Sequence, residues 1–211
     1  QPEKYFTDGL PVSSSLNPKK PIKRNAPSLY YSNFQHAQFW DGRVGKLEQQ
    51  IATVMRNPQE MDADPLVVVS RLQQQPAYVQ AFTRAYADSS QPLSAATMYH
   101  AIAAYVASLA PMKSAMDEYF EGNKNAMTAV QKRGFNLFMG KGLCATCHFA
   151  PLFNGLTPPL FELTEYENLG MTATADLKHP LADTDAGRYG YFPMQFYEGV
   201  FKTPTVRNAA V

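Results

Sequence analysis

Cysteine is scarce in this 211-residue chain: there are two, Cys144 and Cys147, which excludes a disulfide framework. Charge is thin as well. Charged residues make up 18%, below the roughly 25% of an average soluble protein, and the signs nearly cancel at a net +1. That balance carries no footprint of a nucleic-acid partner, and it fits a chain that covers something large and apolar. Long apolar runs are missing too. The longest candidate, residues 101–112, falls well short of the ~18 residues of a membrane span and reads as a buried helix. What the chain does have is 45% hydrophobic and 12% aromatic residues, which exclude intrinsic disorder. It also has 16 prolines, half again the usual share of ~5%, so extended loops are expected.

Helical signals begin near Gly45. Leu47, Ile51, Val54 and Met55 share one helix face, and Asn57-Pro58 ends it. Asp64-Pro65 reads as an N-cap with proline at the first helical position. Pro76 restarts a helix with Tyr78, Phe82 and Tyr86 on one face. Ser94 caps a longer one, striped by Met98, Ile102, Tyr105, Val106 and Leu109, with Pro111 just past its end. Residues 115–121 add a turn or two. Met127, Val130, Gly134 and Leu137 mark another helix, ended by Gly140 and Gly142. Beyond Phe149 the periodicity dissolves into some sixty residues rich in proline and glycine, a length that needs something to wrap around. No βαβ alternation appears, so the expected fold class is mainly α with long irregular loops.

Cys144-Ala145-Thr146-Cys147-His148 is C-x-x-C-H, the attachment signature of a c-type haem. Two thiols three positions apart reach the two vinyl groups on one edge of the macrocycle, and the next residue sits under the iron as the proximal ligand. Gly140-Lys141-Gly142 loosens the backbone before the motif, and Phe135 and Phe138 offer rings to pack on a porphyrin. A structural zinc site needs four ligands, and only His36, His100 and His179 remain, none in paired spacing. A thioredoxin-like dithiol needs a βαβ context that is absent. The sixth iron ligand stays open. Met171 and Met194 follow the motif, but packing is the ordinary use of methionine.

An ordered set of short motifs resembles the bacterial di-haem cytochrome c peroxidases, including the relative that matures the tryptophan-derived cofactor of methylamine dehydrogenase. The set runs through Phe6-Thr7-Asp8-Gly9-Leu10-Pro11-Val12-Ser13, Arg24-Asn25-Ala26-Pro27-Ser28, Phe39-Trp40-Asp41-Gly42-Arg43, Leu47-Glu48-Gln49-Gln50 and Asn57-Pro58-Gln59-Glu60-Met61. It continues after the haem motif with Asn168-Leu169-Gly170, Asp185-x-Gly187-Arg188 and Phe201-Lys202-Thr203-Pro204-Thr205-Val206-Arg207-Asn208. The resemblance implies two cytochrome c-like domains: residues 1–122 as a partial N-terminal, peroxidatic domain, and residues 123–211 as a C-terminal haem domain cut before its distal ligand. It implies that Trp40 lies between two haems. It places Gln50 and Glu60 in the peroxide pocket, with Glu60 moving protons. It makes Asn25 a calcium ligand and Arg207 a partner for a haem propionate. By local sequence alone these residues read as an ordinary core tryptophan, polar and solvated side chains, a turn asparagine and a surface cation.

The departures are equally specific. There is one C-x-x-C-H, and the family's first would end just before Gln1, so the chain looks like an internal piece with one haem c where the parent would hold two. The implied parent is a periplasmic or exported oxidoreductase that reduces hydrogen peroxide with electrons from a small cytochrome c or cupredoxin. Calcium and a homodimer stay open. The alternatives are a monohaem electron carrier and a di-haem oxidase of a protein or organic substrate.

Overall fold

Local sequence explains where the helices start and stop. The computed structural model describes residues 6–17, 22–176 and 178–209; Gln1 and Val211, at the chain ends, lie outside them. Among the described residues, α1 spans Leu47–Arg56, α2 Pro65–Gln73, α3 Pro76–Ala85, α4 Ala95–Ala107, α5 Ala115–Phe120 and α6 Ala129–Met139. The Asp64 carboxylate accepts from the Leu66 amide at 2.8 Å and caps α2, while Pro65 and Pro76 occupy first helical positions that need no amide donor. Reciprocal capping boxes open the next three helices: Ser94 with Thr97, Ser114 with Asp117, and Thr128 with Gln131.

The chain folds as two units. The first comprises Gln1–Asn33 and Lys46–Ala110, the second Phe34–Gly45 and Pro111–Val211. In the first, α4 packs on α1 and α2 around Met55, Val69 and Met98, with Ala63, Leu72 and Tyr99 against them. The apolar stripe of α4 is wider than its neighbours cover: Val106 is buried, but Ile102 and Tyr105 are exposed. The extended N-terminal stretch is tied on by Leu16, whose amide donates to the Gln59 carbonyl at 3.0 Å.

In the second unit the long irregular segment is ordered around a small ladder. Strand β1 (Tyr166–Glu167) pairs antiparallel with β2 (Phe201–Lys202), and isolated bridges join Phe149 to Asn154, Leu156 to Thr164 and Gly187 to Val200. Leu152, Phe153, Leu156 and Val200 are buried here, and Phe153 meets Phe120 of α5 and Phe138 of α6. The fold is thus mainly helical with little strand. Residues 34–45 and 111–122 fall in the same unit as the haem motif. Hydrogen bonds from Lys202 and Arg188 to residues 35–42, and from Arg207 to Asp117, account for that grouping.

Candidate functional site

The C-x-x-C-H turn is built by what ends α6. The Gly140 amide donates to the Asn136 carbonyl at 3.0 Å, and the Gly142 amide folds back to the Leu137 carbonyl at 2.7 Å. A Cβ on Gly142 would lie 2.7 Å from that same carbonyl oxygen, so the turn needs glycine there. A short 3-10 turn, Cys144–Thr146, follows, and the His148 amide closes it on the Cys144 carbonyl at 3.0 Å. Cys144 is exposed, Cys147 half-buried, and both thiols are free.

His148 Nδ1 lies 3.0 Å from the Pro204 carbonyl oxygen. A carbonyl only accepts, so Nδ1 carries the proton and donates it, and the Nε2 lone pair is left to bind a metal. This is the orienting partner that metal-ligating histidines ordinarily have. Phe138 sits beside the ring, centroid to centroid 6.5 Å. Leu137, Met139 and Leu143, in sequence with the motif, are exposed apolar side chains. Two free thiols on one turn, an imidazole held with Nε2 open, and apolar surface beside them fit haem c. Cys147 Sγ also lies with carboxylate oxygens of Glu165 and Glu167, all within 4.8 Å of one another, the one such group of three among the described residues. Burial, then Glu167, pushes the Glu165 carboxyl up. A structural zinc site takes four ligands, mostly Cys and His. His36 instead bonds the Phe161 carbonyl, His100 the Tyr86 hydroxyl, and His179 the Asp176 carboxylate. Met171 and Met194 are exposed.

The segment Phe34–Gly45 sits in the same unit. Asp41 is 0% exposed and accepts from Arg43, Nη1 to Oδ2 at 2.8 Å and amide to Oδ1 at 3.2 Å. Arg43 lies over the Phe39 ring, 3.5 Å from its centroid. The half-buried Trp40 has its carbonyl held by the Lys202 amide at 2.7 Å. Lys202 Nζ donates to the Ala37 carbonyl at 3.1 Å and to Gln35 Oε1. Burial pulls the Lys202 ammonium down to about 8, against the opposing pull of Asp41.

Of the other residues singled out by sequence, Gln50 on α1 and Glu60 in the turn after it are half-buried and belong to the first unit, whereas Trp40 belongs to the second. Asn25 is exposed in the extended N-terminal stretch and brings one side-chain oxygen, where calcium takes six to eight. Arg207 is engaged by protein: Nη1 donates to the Pro151 carbonyl at 2.6 Å, and Nη2 to Asp117 Oδ1 and Oδ2 at 2.7 and 2.5 Å. Burial alone raises the Asp117 carboxyl, but hydrogen bonds from Arg207 and Ser114 outweigh it and hold the group below its ordinary value. Sequence reasoning quoted Arg188 and Lys202 within motifs without giving them a role, and missed Asp117.

A mainly helical chain that presents both thiols of a C-x-x-C-H turn and an oriented imidazole is a c-type haem protein. A family model described as di-haem cytochrome c peroxidase matches residues 1–125. The cytochrome c551 peroxidase of Pseudomonas aeruginosa is 34% identical over 89% of this chain and 51% of its own length. That of Nitrosomonas europaea is 32% identical over 87% and 51%. The chain belongs to the di-haem cytochrome c peroxidase family. The crystal structure of a MauG-like protein associated with microbial copper homeostasis superposes with a TM-score of 0.82 at 29% identity, covering 99% of this chain and 61% of that one, so the fold is cytochrome c-like. The chain spans about half the length of the curated relatives it matches. No helix among the described residues is long and apolar enough to cross a membrane.

Proposed function

We propose that this chain is the part of a di-haem peroxidase that holds one covalent haem and the tryptophan leading from it toward the peroxidatic centre. The observation that carries the reading is the His148 Nδ1–H bond to the Pro204 carbonyl, which leaves Nε2 open beside two free thiols. Bound there, haem c supplies one-electron oxidation and reduction. Cys144 and Cys147 would anchor it as thioethers, and His148 Nε2 would ligate the iron. In the parent, Trp40 would serve as the bridge between haems, Gln50 would be a polar group of the peroxide pocket, and the Glu60 carboxylate would move a proton there. Arg207 ties α5 to the C-terminal stretch of the same unit through Asp117. Asn25 contributes one donor to calcium in the parent. The electron donor is a small cytochrome c or cupredoxin, and the compartment is the periplasm, because covalent haem attachment takes place outside the cytoplasm.

The test is made on the native full-length protein. Pyridine haemochrome should give two haems per chain, and the reductively activated protein with calcium should oxidise reduced cytochrome c upon addition of peroxide. One haem without turnover would instead establish a monohaem carrier. Two haems without peroxide turnover would favour a di-haem oxidase of an organic or protein substrate, the reading to which the MauG-like structural relative lends weight.

A further inference from the structure

Three consecutive carbonyls in the Phe34–Gly45 segment are held by the C-terminal part of the chain. The Trp40 carbonyl accepts from the Lys202 amide at 2.7 Å. Those of Asp41 and Gly42 both accept from Arg188 Nη1, at 2.8 and 3.3 Å. Arg188 is no ordinary surface cation. Its guanidinium carbon lies 4.2, 4.3 and 4.8 Å from the ring centroids of Tyr166, Phe192 and Tyr197. Three aromatic faces around one guanidinium fix its plane and keep its donors pointed.

The local backbone is shaped to deliver that side chain. The Gly187 amide donates to Asp185 Oδ1 at 2.9 Å, and the Arg188 amide to the Val200 carbonyl at 2.8 Å. Gly187 has φ +58°, and a Cβ there would lie 2.4 Å from the Val200 oxygen. The receiving side is matched. Gly42 has φ +64°, and a Cβ on it would lie 2.2 Å from the Tyr166 hydroxyl oxygen, so a wall of the Arg188 cage comes right up to the Trp40 turn. The same chain stretch reaches the haem motif, because Lys202 holds Trp40 and Pro204, two residues on, holds His148.

We propose that Arg188 is a positioning residue for Trp40: caged by Tyr166, Phe192 and Tyr197, it clamps the backbone that follows the indole and fixes it within the unit that carries both Trp40 and His148. Its consequence for turnover rests on the proposed role of Trp40 as the bridge between haems. Removing the guanidinium takes the shared Nη1 donor from the two carbonyls that follow Trp40 and lets the indole change its torsion. Displacing the indole weakens the bridge, and electron transfer between the haems slows.

The experiment uses the full-length holoprotein with Arg188→Gln, Arg188→Lys and Trp40→Phe. The torsion-sensitive ultraviolet resonance Raman band of the indole, isolated as the difference from Trp40→Phe, reads the position of Trp40 directly. Stopped-flow oxidation of the His148-ligated haem by peroxide reads transfer, and its midpoint potential reports whether the haem environment is intact. The expected result is a shifted and broadened indole band and slowed transfer in Arg188→Gln, an unchanged potential, and partial recovery in Arg188→Lys, which keeps a cation in the cage. An indole band at the wild-type position in Arg188→Gln overturns the proposal, whatever the transfer rate. If Arg188→Gln does not fold, the band of Arg188→Lys decides in its place. A shifted band together with wild-type transfer in Trp40→Phe supports the positioning role and sinks the bridge reading alone.

Discussion

Arg207 and Asp117 face each other almost out of solvent, with side chains 6% and 4% exposed, and each would be a buried uncompensated charge without the other. Arg207→Met should therefore destabilise the protein by roughly 3 kcal/mol at neutral pH, measured by urea unfolding. Because the folded-state value of Asp117 is depressed, its contribution is complete above the ordinary aspartate range and is lost as pH falls through the folded value below that range. The gap between wild type and Asp117→Asn should accordingly narrow in strong acid. Lys202 runs the other way. Its folded value of about 8 lies below the ordinary 10.5, so between these the unfolded chain binds more protons and stability rises with pH. Lys202→Met should abolish that rise, which equilibrium unfolding across the window will show. Above it Tyr166, pushed up by burial, acts with the opposite sign, since the folded state then holds its proton longer.

At the level of elements, what could be read from sequence was whatever is decided within a few residues. Asn57-Pro58, Asp64-Pro65, Pro76 and Ser94 mark the ends of α1 to α4 by backbone chemistry alone, and the C-x-x-C-H turn carries its spacing in five letters. The capping boxes at Ser114 and Thr128 follow the same local rule and were legible in principle. The exposed side of α4 was not, since periodicity reports an apolar face but not whether a neighbour covers it. The pairings of Arg207 with Asp117 and of Arg188 with Asp41 span 90 and 147 residues, and nothing local announces them. The motif Asp185-x-Gly187-Arg188 shows the difference: its letters were visible, while the reason for them lies against Val200 and the Trp40 turn. Gly187→Ala, strained by its φ and by the Val200 oxygen, should cost on the order of 1–3 kcal/mol and lower the melting temperature, whereas Gly134→Ala, with open space around it, should not.

For the molecule as a whole, the path of the backbone matters more than any single contact. The chain passes from one unit to the other at residues 33–34, 45–46 and 110–111. A fragment of residues 123–211 would keep every letter of the haem motif but leave Arg207 without Asp117 and Arg188 without its two carbonyls. Such a fragment should lack the cooperative thermal transition of the whole chain loaded with haem and bind more of a hydrophobic dye than that whole chain does. The segment Phe34–Gly45 is thus a dozen residues written early and used late. Anyone recombining halves of family members at the α1 boundary would graft a foreign tryptophan turn onto the body that carries the C-x-x-C-H motif. A chimera that keeps its own stretch from 34 to 45 beside its own Arg188 and Lys202 is the one to build.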